Sequence, residues 1–107
     1  MIVVNAIIET NQENINKWKD RIIKLQELSR VEAGCIDYTW SVELGDPDIL
    51  RATEKWNSIE DLALHFQTPH VASFQEMVSE SPPKITAYFY KAEEVDPPSN
   101  DLSLLDK

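Results

Sequence analysis

Residues 35–44, CIDYTWSVEL, alternate without a fault. Ile36, Tyr38, Trp40, Val42 and Leu44 fall on one side; Cys35, Asp37, Thr39, Ser41 and Glu43 fall on the other. A period of two sustained over this length fits a strand and not a helix, because successive strand side chains point to opposite faces. A strand needs a neighbour, and the chain supplies one at once. GDPD at 45–48 reads as a turn, and ILRATEKW at 49–56 as the returning strand. A hairpin over 35–56 therefore fixes the middle of the fold.

The pattern changes on both sides of that hairpin. Residues 2–8, IVVNAII, are short, β-branched and apolar except for Asn5, as in a buried strand. From 12 to 30 the apolar residues Ile15, Trp18, Ile22, Leu25 and Leu28 keep helical spacing. Gly34 follows, and a left-handed turn is expected there. After the hairpin, Ser58 caps a second helix, with Asp61 as a capping-box acid and Ile59, Leu62 and Phe66 as its buried stripe. Thr68-Pro69 restarts that helix, Thr as N-cap and Pro at its first position, and Val71, Phe74 and Val78 carry the new stripe. Ser-Pro-Pro at 81–83 stops it, and ITAYFYKA at 85–92 is the last strand. The order β-α-β-β-α-β predicts a ferredoxin-like α+β fold: a four-stranded antiparallel sheet with both helices on one face.

A chain of 107 residues suits one domain, here 1–92. The remainder, 93–107, is an acidic C-terminal tail, expected to be mobile or to dock on a partner subunit through its LSLL. The net charge is −9, of which this tail carries −4, and a balance of that sign argues against nucleic acid as a partner. No apolar run is long enough to span a membrane. No basic leader precedes IVVNAII, so the cytoplasm is the expected location. Cys35 is the sole cysteine, which rules out an intrachain disulfide, and it reads as a small buried side chain. The first and last strands are apolar on both faces, whereas helices cover only one face of such a sheet. A second sheet from an identical subunit would cover the other, so a homodimer packed through its sheet faces is expected.

Both histidines lie in EKWNSIEDLALHFQTPHVASF, residues 54–74, on either side of the Thr68-Pro69 break. His65 sits beside the helical stripe, where a neutral imidazole could accept a proton near pH 7 or simply fill a helix end. His70, at the second position of the restarted helix, suits a helper to that base or a structural hydrogen bond within the break. The two are five residues apart across a break, unlike the four of H-E-x-x-H, and no third ligand is evident from spacing, so no metal is expected. Asn5 is an amide in an apolar strand and must be hydrogen-bonded, to backbone or toward a ligand. Glu54 shares a strand face with Trp56 and is another candidate base.

Taken together, E-A-G-C at 32–35 before an alternating strand, E-K-W at 54–56, S-I-E-D-L at 58–62 and H-F-Q-T-P-H at 65–70 with Phe74 form one ordered series. In this series the chain resembles the antibiotic biosynthesis monooxygenase family of dimeric α+β barrels, which includes small quinol monooxygenases. The resemblance covers about residues 1–92. It implies a cofactor-independent monooxygenase that binds a small quinol-like aromatic and dioxygen in an apolar cavity between helices and sheet, with no cofactor and no metal. Carried onto this sequence, it makes His65, His70 and Asn5 the catalytic candidates, and Trp56, Tyr38, Phe74 and Glu54 the substrate-binding ones. Haem-degrading relatives keep a tryptophan where this chain has His65 and a ligand histidine near Gln75, so haem cleavage is disfavoured. The anthrone-oxidising branch has a second asparagine where this chain has Ala52, which favours smaller quinols. An isomerase of a small phosphorylated dione, or a non-catalytic binding protein using the same cavity, are the alternatives.

Overall fold

The computed structural model describes residues 1–99. The elements run β1 (Ile2–Glu9), α1 (Gln12–Arg30), β2 (Cys35–Glu43), β3 (Asp46–Trp56), α2 (Ile59–Phe66), α3 (Pro69–Ser79) and β4 (Lys84–Lys91). The strands form one sheet in the order β2-β3-β1-β4, and each neighbouring pair is antiparallel. This is the ferredoxin-like α+β fold that the element order requires. The expected docking through LSLL, residues 102–105, lies outside the described residues.

The helix break forms where Thr68-Pro69 predicts it. The Thr68 hydroxyl accepts from the Val71 N–H at 3.4 Å, and Pro69 begins α3. Ser58 caps α2: its Oγ accepts from the Asp61 N–H at 3.1 Å and its hydroxyl donates to Asp61 Oδ2 at 2.9 Å. Asn11 caps α1 by accepting from the Asn14 N–H at 2.8 Å.

Three local expectations are corrected. β3 begins at Asp46 rather than at residue 49, with Glu43 paired to Asp46, so the hairpin turns on Leu44 and Gly45 alone. Gly34 is not in the left-handed region; it is glycine because the chain passes too close to α2. A Cβ there would stand 2.3 Å from the Asp61 Cβ and 2.2 Å from its Cγ. The buried pair on α2 is Leu62 and His65, while Ile59 and Phe66 are 54% and 49% exposed. With α2 only two turns long, the sheet beneath it meets one face, and that face carries the histidine.

Register sorts the sheet into rows. On the helix-covered side the rows are Val42–Leu50–Ile8–Ile85, Trp40–Ala52–Ala6–Ala87 and Tyr38–Glu54–Val4–Phe89. On the far side they are Ser41–Arg51–Ile7–Thr86 and Thr39–Thr53–Asn5–Tyr88. The core lies between sheet and helices: Trp18, Ile22 and Met77 pack on Ile8 and Leu50, and Leu25, Leu62 and Val71 pack around Val4 and Trp56. The helices lean on β2 and β3, which leaves the edge strand β4 exposed on both faces: Ile85 and Phe89 on one, Tyr88 and Tyr90 on the other. The middle row on the covered side contains three alanines. Small side chains on the floor leave space between sheet and helices.

Candidate active site

The space above the alanine row is a cavity of about 260 Å³. Its walls include Tyr38, Trp40, Glu54, His65, Phe74 and Gln75, and the half-exposed Phe66, Ile85 and Phe89 also border it. Among the described residues, no lysine or arginine lines it. A larger hollow of about 620 Å³ runs outside, between α1 and α3, past Arg21, Lys24, Leu28, His70 and Ser73. The smaller cavity is the better candidate, because the buried ionisable groups face it.

His65 is the centre of the arrangement. Only 2% of its surface is exposed. Its Nδ1 lies 2.7 Å from Glu32 Oε2, and its Nε2 lies 3.7 Å from Glu54 Oε1. The same Glu32 oxygen is 2.8 Å from His70 Nε2. Glu54 Oε1 in turn accepts from the Trp56 Nε1–H at 3.0 Å. A polar chain thus runs Trp56–Glu54–His65–Glu32–His70 from strand to helix to loop to helix. The Trp56 and Tyr38 rings flank the imidazole, at centroid distances of 4.5 Å and 5.4 Å.

Each member is held by local structure. Glu32 follows α1 in a tight loop, where its N–H donates to the Ser29 carbonyl at 3.1 Å and its carbonyl accepts from the Cys35 N–H at 3.1 Å. Arg30 Nε donates to the Tyr38 carbonyl at 2.8 Å, tying that loop to β2. The His65 carbonyl accepts from the Thr68 hydroxyl at 2.7 Å, so the residue that caps α3 also anchors the end of α2. The helix break swings His70 back toward Glu32, which is why two histidines five apart in sequence reach one carboxylate.

Burial acts on the acids and phenols around this chain. It pushes the Glu54 carboxyl above its ordinary range, although the Trp56 hydrogen bond and the His65 ring pull it down. Burial likewise pushes the Tyr38 hydroxyl well up. Cys35 is raised to about 11, first by burial and then by the nearby charge of Glu32. A thiol so placed is a packing group and not a nucleophile at neutral pH.

The structure brings some of the sequence candidates together and separates others. His65, Glu54, Tyr38 and Phe74 all line the cavity. Trp56 does not: it is fully buried, and its N–H is committed to Glu54, so it holds Glu54 and leaves no face or donor toward the cavity. His70 also stands outside the cavity, on the α1–α3 groove, and connects to it only through Glu32. Asn5 is on the far face of the sheet, exposed, and its Oδ1 accepts from the Thr53 hydroxyl at 3.3 Å. It cannot reach a ligand between helices and sheet, because strand parity at Val4 and Ala6 claims that face.

Glu32 joins the site without standing among the sequence candidates. Its only sequence signal was its place at the head of E-A-G-C, since nothing in linear spacing links it to residues 65 and 70. It also supplies the third possible metal ligand that spacing does not reveal: the donor atoms of Glu32, His65 and His70 lie within 4.8 Å of one another.

A ferredoxin-like chain with an apolar hollow over an alanine floor, and a buried imidazole between two carboxylates at its wall, belongs to the class of small α+β proteins with a cavity between helices and sheet. The family model for antibiotic biosynthesis monooxygenases matches residues 1–77, and the chain belongs to that family. Membership supports a monooxygenase-type function. Solved structures agree on the fold. A Deinococcus radiodurans protein, named as a candidate antibiotic biosynthesis monooxygenase, superposes with a TM-score of 0.83 at 19% identity, over 91% of this chain and 97% of that one. A conserved protein from Methanosarcina mazei gives 0.79 at 27% identity, over 86% and 92%. A Bacteroides thetaiotaomicron protein of unknown function, described as a possible oxidoreductase, gives 0.76 at 26%, over 83% and 94%. No curated protein matches the chain. No helix among the described residues is long and apolar enough to cross a membrane.

Proposed function

We propose that the chain is a cofactor-independent monooxygenase of a small quinol-like aromatic. The observation that carries this reading is His65, buried at the wall of an apolar cavity with one ring nitrogen held by Glu32 and the other turned toward Glu54. With Glu32 accepting from Nδ1–H, the Nε2 lone pair is left to take a hydroxyl proton from a bound ring. The ring anion then supplies the electrons to dioxygen. One oxygen atom enters the ring, the other leaves as water, and the hydroxyls become carbonyls. Trp40 is a donor for a second ring oxygen: its Nε1 is buried beside the Tyr38 hydroxyl but meets no acceptor with hydrogen-bond geometry among the described residues. A water-poor site strengthens both interactions.

The cavity composition favours this reading over the isomerase of a phosphorylated dione, since among the described residues no lysine or arginine lines the cavity to meet a phosphate. It also disfavours haem chemistry, because Gln75 rather than a histidine faces the cavity from α3. We further propose a homodimer that covers the far face of the sheet, on the support of the exposed Tyr88 and Tyr90, whose rings stack at 6.5 Å.

Oxygen uptake with a panel of reduced quinols tests the reading. His65→Ala should lower kcat by about a hundredfold or more, the usual contribution of a positioned base. Ala6→Leu, which fills the cavity from its floor without touching His65, should abolish turnover. Trp56→Phe should weaken the reaction by releasing Glu54. Unchanged rates in all three variants would remove the assignment.

A further inference from the structure

Glu32, His65 and His70 meet from three separate elements: the α1–β2 loop, α2 and α3. We propose that they form a binding site for one divalent first-row transition cation of the zinc type, and that occupancy switches off the proton acceptor at His65. The donor set decides the class of ion. Two imidazoles and one carboxylate suit zinc, cobalt or nickel, whereas calcium and magnesium prefer all-oxygen shells.

The geometry is that of a metal set holding protons in place of the ion. Glu32 Oε2 stands 2.7 Å from His65 Nδ1 and 2.8 Å from His70 Nε2. Ligand atoms around a tetrahedral ion with bonds of about 2.0–2.2 Å are roughly 3.4 Å apart, so Glu32 must withdraw by roughly 0.6–0.7 Å while the donor atoms, now within 4.8 Å of one another, close on the ion. It is free to do so as a loop side chain that retains 16% of its exposure.

Two further features belong to such a site. A ligating imidazole usually directs its other N–H at a carboxylate that fixes the ring. Here His65 Nε2 faces Glu54 at 3.7 Å, and Glu54 is anchored by the Trp56 N–H. An entry path exists as well, because His70, 15% exposed, opens onto the α1–α3 groove. The switch follows from tautomer chemistry. An ion on Nδ1 obliges the neutral ring to carry its proton on Nε2, the nitrogen that oxygenation needs unprotonated. The switching half of the proposal rests on the proposed oxygenation; the site itself does not.

The experiment is a calorimetric titration of chelator-treated full chain with zinc(II), with cobalt(II) as an absorbance probe. One ion per chain is expected. Glu32→Gln, which keeps an amide oxygen at the same place, and His70→Asn should each weaken binding at least tenfold while far-ultraviolet circular dichroism stays that of the native chain. No binding, or equal binding in both variants, overturns the site. Oxygen uptake with a reduced quinol, followed across the same titration, should fall in proportion to occupancy. Uptake that stays level or rises at saturation overturns the switch. If the metal-free protein takes up no oxygen, the oxygenase reading fails, and the calorimetry alone decides the site.

Discussion

Gly34→Ala should be among the most damaging single-methyl changes in this chain. The new Cβ would lie 2.2 Å from Asp61 Cγ, 2.3 Å from Asp61 Cβ and 2.5 Å from Oδ2. The Cβ contact cannot be relieved by a rotamer change, because it moves only with the helix backbone. Gly34 is also tied to that region by its carbonyl, which accepts from the Asn57 N–H at 2.9 Å. The substitution must therefore push away the first turn of α2 and break the Ser58–Asp61 cap. Overpacking costs about 1–3 kcal/mol, and loss of a cap adds about 1 kcal/mol. The expected total of about 2–4 kcal/mol corresponds to a fall in Tm of about 10–25 °C for a domain of this size. Thermal and urea unfolding followed by circular dichroism measures it. A second change identifies the cause. In the Gly34→Ala background, Asp61→Ala keeps the offending Cβ and should restore nothing. Asp61→Gly removes all three contacts and should recover stability, despite a helix-propensity cost of about 1 kcal/mol. A Gly34→Ala protein within about 0.5 kcal/mol of the parent, near the noise of a neutral surface change, would refute the reasoning. So would equal rescue by Asp61→Ala and Asp61→Gly.

Three other outcomes are expected. Cys35, raised to about 11 against an ordinary 9.0, should react with iodoacetamide at pH 8 about a hundredfold more slowly than a free thiol, since only the thiolate attacks; a rate near that of free cysteine contradicts the burial. Glu54 is held above its ordinary range, so the folded state retains its proton longer than the unfolded chain does. Stability contributed by this group is present at acid pH and is lost as pH rises through the raised value; Glu54→Gln should therefore gain stability over the parent from about pH 5 upward, and identical pH profiles would contradict it. Tyr88→Glu, on the far face of the sheet beside Asn5, should shift sedimentation from dimer to monomer without lowering helix content; a parent that sediments as a monomer removes the proposed interface.

Local signals carried most of the fold. The alternation at 35–44 became β2, the Thr68-Pro69 break became the boundary of α2 and α3, and the Ser58 cap formed as read. Where the structure departs from local expectation, a non-local contact is the cause. Glycine at 34 suggests a left-handed turn, but it is required instead by the approach of Asp61. Helical spacing from Ile59 and Leu62 points to Phe66 as the next buried position, yet His65 is buried there, between carboxylates from two other elements.

By itself the sequence determined which segments are strands and helices and in what order, because periodicity and caps act over a few residues. It also marked His65, Glu54, Tyr38 and Phe74. Only the tertiary structure decided where these side chains stand and what they touch. Register put Glu54 on the covered face and Asn5 on the far one, three alanines in one row opened the cavity, and the turn after α1 delivered Glu32 to both histidines. Those pairings join residues more than thirty positions apart, and a hydrogen bond between them leaves no trace in local spacing.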